Sequence, residues 1–92
     1  MTVVVTENQV KNREEYLKLA VAFVNDARMD KGCSSMEVCI NPEKDDSVIF
    51  VSKWVKKEDF MNHTEGAAFA KHIPEMAPYY VSGTDTFLEV VS

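Results

Sequence analysis

One segment concentrates the side chains able to do chemistry: Trp54-Val-Lys-Lys-Glu-Asp-Phe60-Met-Asn-His63-Thr-Glu-Gly-Ala-Ala-Phe69. It passes from the end of an apolar strand into a helix. That path can set one tryptophan, two phenylalanines and one histidine around a single pocket. Imidazole titrates near neutrality, so His63 is a candidate proton-transfer group; the competing role is a capping or packing residue at a helix break. Trp54 reads as a core or pocket-wall anchor, and Phe60 and Phe69 as core residues that also wall the pocket. Phe50 and Met36, from neighbouring strands, are expected to add to the ligand-binding wall. Tyr79, beside Tyr80 and just after Pro78, either closes the rim or anchors a turn. His72 is expected to be an exposed helix residue.

Other chemistries find less support. Cys33 and Cys39 are six positions apart; on one strand that is roughly 20 Å, too far for a disulfide. No Cys-x-x-Cys pair or Cys/His ligand set points to a metal, and no glycine-rich loop points to a bound nucleotide. Neither a metal nor an organic cofactor is expected. Ten basic against fifteen acidic residues give a net charge of −5, which opposes a nucleic-acid or anionic-membrane partner. The longest helical apolar run, Ala20 to Val24, cannot span a bilayer. The N-terminus lacks the pattern of a signal peptide, so a cytoplasmic protein is expected.

With 92 residues the chain forms one domain, residues 1–92, whose small core would benefit from a partner subunit. Thr2 to Gln9 reads as a strand, with Val3, Val4 and Val5 apolar on both faces. Asn12 and Glu15 have the spacing of a capping box, and Tyr16, Ala20, Phe23, Val24 and Ala27 form a helical stripe ending near Asp30 and Gly32. Ser34 to Asn41 alternates as a strand. Asn41 to Asp46 is a turn, and Ser47 to Val55 is a strand with Val48, Phe50 and Trp54 on one face and Ile49, Val51 and Val55 on the other. Lys57 to Asn62 begins a helix. A break near His63 and Thr64 follows, with Thr64 capping a second piece that Pro74 and Pro78 end. Ser82 to Val91 is the last strand.

The order strand, helix, strand, strand, helix, strand predicts an α+β, ferredoxin-like fold: a four-stranded antiparallel sheet with helices on one face. The first and third strands are apolar on both faces, as central strands should be. Two helices cover only one face, and leaving the other in water costs on the order of 25 cal/mol per Å² of apolar area. A second copy of the sheet is the obvious cover, so a homodimer is expected.

Gly32-Cys33 opening the second strand, then Trp54, Phe60, His63, Phe69 and a closing strand, resemble the antibiotic-biosynthesis-monooxygenase-like family of small proteins. The resemblance spans essentially the whole chain and implies a dimeric α+β barrel with a small-molecule pocket between helices and sheet. It also implies a cofactor-independent monooxygenase acting with O2 on a dihydroxyaromatic or quinol substrate. In that chemistry His63 would be the base, Asn8 would hold a phenolic or peroxy oxygen, and Trp54 would offer its indole N–H or a stacking face. Asn8 could instead bond backbone at the strand end. Where many relatives carry an acid before the tryptophan and a serine cap after it, this chain has Ser52 and Lys56. Rival readings on the same fold are a non-catalytic binding dimer, a phosphorylated-autoinducer isomerase and a haem-degrading monooxygenase. For haem degradation, Asn8 matches, but the tryptophan and histidine of that branch would fall on His63 and Ile73.

Overall fold

A computed structural model describes residues 1–92. The elements follow in the order β1 (Thr2–Val10), α1 (Arg13–Ala27), β2 (Cys33–Ile40), β3 (Ser47–Trp54), α2 (Lys57–Thr64), α3 (Ala67–Met76), a 3-10 turn (Ala77–Tyr79) and β4 (Tyr80–Glu89). All neighbouring strands are antiparallel, in the order β2-β3-β1-β4. The two strands that are apolar on both faces are therefore the central ones, as their patterning requires.

Register decides which side chains share a face. Thr2, Val4, Thr6 and Asn8 on β1 stand beside Trp54, Ser52, Phe50 and Val48 on β3. This inner row meets the α1 stripe, and Tyr16, Ala20, Phe23, Val24 and Ala27 are all buried, as their spacing predicts. Val3, Val5, Ile49 and Val51 occupy the outer face, where no helix lies, and are only half-buried.

Four local expectations are corrected. Asn12 adopts a left-handed conformation (φ 52°) and makes no side-chain cap, so the Asn12–Glu15 capping box does not form. The chain leaving β1 is instead tied down by the Val10 and Lys11 amides, which donate to Asp46 and Tyr79 carbonyls at 2.8 Å. These anchors set the entry to α1, and asparagine tolerates the left-handed geometry they leave. Thr64 does not cap α3. It ends α2 with its hydroxyl donating to the Met61 carbonyl at 2.7 Å, and Gly66 opens α3. The helix break falls at Glu65 and Gly66, just after the expected His63 and Thr64. Pro74 lies inside α3, which runs on to Met76; a proline removes one helical hydrogen bond, and the packing of α3 on α1 compensates for that loss. His72 is buried rather than exposed.

Gly32 turns the chain from α1 into β2 at φ 81°, and a Cβ there would lie 2.2 Å from Asp59 Oδ2. Both the backbone conformation and the packing exclude a side chain. Gly32→Ala is expected to lower stability by about 1–3 kcal/mol, read as a reduced urea midpoint with an unchanged slope.

Candidate active site

α1, α2, α3 and the inner face of the sheet line a half-open cavity of about 360 Å³. Its apolar wall includes Phe23, Met36, Phe50, Phe60, Phe69 and Met76; its polar groups include Thr6, Asn8, Tyr16, Ser52, His63, Tyr80 and Asp85. The sequence-expected Asn8, Met36, Phe50, Phe60, His63 and Phe69 are brought together here.

His63 sits in the last turn of α2, its side chain only 2% exposed. Its ring centre is 5.0 Å from Trp54, 5.6 Å from Phe69, 5.7 Å from Phe23 and 5.8 Å from Phe60. Nδ1 lies 2.6 Å from Asp30 Oδ2. A carboxylate only accepts, so Nδ1 carries the proton, and in the neutral imidazole Nε2 presents the lone pair. No sealed-off side-chain nitrogen or oxygen lacks a partner in this fold. Nε2 makes no protein hydrogen bond, so it is open to the cavity that His63 lines. The pair of a proton acceptor and a group that orients it is the minimal machinery of general-base catalysis. Asp30 carried no motif in the sequence, because the turn after α1 brings it to α2 across thirty-three positions.

Trp54 stands behind the histidine rather than on the cavity. It is fully buried, absent from the lining, and its Nε1–H donates to Ser52 Oγ at 2.9 Å. The indole N–H expected to meet a substrate oxygen is therefore occupied. Ser52, where relatives often place an acid, supplies that acceptor and also touches the cavity. Tyr79 is half-buried against the core and outside the lining; the next residue, Tyr80, lines the cavity instead. The 3-10 turn ends between them, and β4 starts with Tyr80 on the inner face beside Val10. Asn8 reaches the cavity with its Nδ2 donating to the Tyr16 hydroxyl at 3.1 Å.

His72 does not join the site. Its Nε2 lies 2.5 Å from Asp26 Oδ2, and its ring packs 6.0 Å from Phe23. Asp26 in the last turn of α1 and Asp30 just beyond it thus each hold one histidine from the two following helices. The hydrogen bond from His72, and to a lesser extent the Lys71 charge, hold the Asp26 carboxyl below its usual range. A depressed carboxyl pKa contributes stability above the unfolded value, lost as pH falls through the folded one. His72→Gln is expected to move the Asp26 carboxyl back up toward the ordinary carboxylate range, read by NMR titration of its side-chain carbon, and to flatten the acid limb of stability.

Cys33 and Cys39 are both free, and burial, with the nearby Asp30 charge, pushes the Cys33 thiol up, away from a reactive thiolate. No helix is long and apolar enough to cross a membrane.

The profile for antibiotic biosynthesis monooxygenase matches residues 1–75. The chain belongs to the antibiotic biosynthesis monooxygenase family. Solved structures agree with the fold of this family member. An antibiotic biosynthesis monooxygenase superposes over 100% of both chains with a TM-score of 0.88 at 17% identity. SnoaB, a cofactor-independent oxygenase from Streptomyces nogalater, covers 99% of this chain and 93% of its own with a TM-score of 0.87 at 12% identity. A conserved protein from Methanosarcina mazei Go1 covers 95% of this chain and 89% of its own, TM-score 0.84, at 18% identity. Identities this low carry the shared fold alone. No curated protein matches the sequence.

Proposed function

We propose that this protein is a cofactor-independent monooxygenase acting on a small dihydroxyaromatic, with His63 as the base and Asp30 as the residue that positions it. The observation that carries the reading is the buried His63 held 2.6 Å from the half-buried Asp30 carboxylate, on a cavity walled by aromatic rings. Family membership supplies the reaction class, and SnoaB is a relative in fold described as a cofactor-independent oxygenase.

Nε2 of His63 takes the phenolic proton, and Asp30 stabilises the imidazolium that results. The electron-rich ring anion then reduces O2. One oxygen atom enters the ring and the other leaves as water, so a quinol becomes a hydroxyquinone. The apolar wall keeps water from the anion and strengthens the polar contacts that hold it. Trp54, held by Ser52, fixes the histidine ring from behind. Phe50, Phe60, Phe69 and Met36 provide the stacking surface for the substrate.

The working unit is proposed to be a homodimer formed through the outer sheet face. The half-buried row Val3, Val5, Ile49 and Val51 and the exposed Leu88 support this.

An oxygen electrode with 1,4-dihydroxynaphthalene tests the activity. One O2 should be consumed for each 2-hydroxy-1,4-naphthoquinone formed, at a rate proportional to protein. Failure to accelerate oxygen uptake with this and related dihydroxyaromatics, while such ligands bind tightly, would mark a binding protein instead.

A further inference from the structure

The cavity has a second polar corner that the base chemistry does not use. Tyr16 lies in the first turn of α1, whereas Asp30, which orients His63, lies beyond the last. At ~1.5 Å of rise per residue, the two polar groups belong to opposite ends of the helix. Between them the lining is aromatic, with Phe23 midway in sequence between Tyr16 and Asp30.

Three residues build this corner. The Asn8 amide donates to the Tyr16 hydroxyl oxygen at 3.1 Å, with both residues buried. Accepting that bond leaves the Tyr16 hydrogen free to donate and polarises it. Burial pushes the Tyr16 pKa up, so the group stays a neutral donor. Tyr80 lines the same corner, and Gly83 keeps it open: a Cβ at position 83 would fall 2.2 Å from Asn8 Oδ1 and 3.0 Å from the Tyr80 hydroxyl. Asn8, the residue whose sequence position suggested an oxygen-holding role, gives one of its two amide N–H groups to Tyr16. The phenol is the group it presents.

We infer that Asn8, Tyr16 and Tyr80 form a hydrogen-bond-donating subsite that selects aromatic ligands bearing a carbonyl or equivalent acceptor oxygen at the end opposite His63. The inference rests on the proposed function only in placing the reacting hydroxyl at His63. It narrows the substrate class to ring systems with oxygens at both ends, one acidic and one accepting. Tyr16 and Tyr80 are thereby specificity-determining residues, and Asn8 a positioning residue that acts through Tyr16.

Calorimetric titration with 1-tetralone and tetralin tests it, since the two share a fused-ring skeleton and differ by one carbonyl. Tyr16→Phe should lower the ratio of tetralone to tetralin affinity about tenfold, the scale of one net hydrogen bond, with tetralin binding unchanged. A ratio that does not move, or equal losses for both ligands, overturns the inference. Should Tyr16→Phe fail to fold, Tyr80→Phe, at a position 47% exposed, should lower the same ratio severalfold, and an unchanged ratio there is equally decisive. If the ratio responds but 1,4-dihydroxynaphthalene is not turned over, the subsite stands and the monooxygenase reading falls. Turnover with an indifferent ratio sinks the subsite alone.

Discussion

His63→Gln should cut turnover of 1,4-dihydroxynaphthalene by roughly 100- to 10,000-fold, the contribution of a positioned general base. Glutamine fills most of the imidazole's space and can still meet Asp30, so the loss would measure proton transfer more than packing. Alanine is a poorer test. The ring lies among four aromatic neighbours within 5.8 Å, and deleting it would leave a void that costs stability on its own account. Asp30→Asn should have a smaller effect, on the order of 10- to 100-fold, as expected for a partner that orients a functional histidine. The loss should fall on kcat more than KM, because Asp30 touches no substrate. A His63→Gln protein with an unchanged melting profile and full oxygen uptake would mean that the histidine is a core residue and that the proton goes elsewhere.

The sequence exposed most of the fold and only half of this site, for a physical reason. Strand alternation and helix stripes are local, so the doubly apolar first and third strands foretold their central places, and Tyr16, Ala20, Phe23, Val24 and Ala27 foretold the buried face of α1. The aromatic wall was visible for the same reason. The polar partners were not. Asp30 reaches His63, and Asp26 reaches His72, through the packing of α1 on α2 and α3, which leaves no spacing to read. His72 looked like a solvent-facing residue because its partner lies forty-six positions away. Asn12 and Glu15 had the spacing of a cap, but tertiary bonds to Asp46 and Tyr79 set the backbone there first. Tyr79 and Tyr80 differ by one position, and the phase of a 3-10 turn entering a strand decided which one faces the cavity.

Val51→Lys should weaken the proposed dimer by about 1,000-fold or more and yield a folded monomer at micromolar concentration. Val5 and Val51 stand directly opposite each other on the two central strands, on the face no helix covers. With Val3, Ile49 and Leu88 they make an apolar row, which a second sheet would remove from water. A lysine there would be buried in each subunit, where the Glu37 opposite it on β2 offsets the charge only in part. Leaving a charge uncompensated at that depth costs about 3–5 kcal/mol, and 1.4 kcal/mol corresponds to a tenfold change in affinity. In the separated chain the same lysine faces solvent, so circular dichroism should still show the α+β fold. Lys53→Glu is the control, since Lys53 is already exposed and charged beside Val3, and it should leave the dimer nearly intact. Sedimentation velocity separates the outcomes. A wild-type monomer at micromolar concentration, or a Val51→Lys dimer as tight as wild type, would mean that the outer face is not the interface. Because the cavity lies on the opposite side of the sheet, a folded Val51→Lys monomer also asks whether the His63 site works alone. If oxygen uptake survives in it, the dimer serves stability, to which a partner adds for a 92-residue chain with a small core; if uptake is lost while ligand still binds, the partner helps hold the reactive geometry.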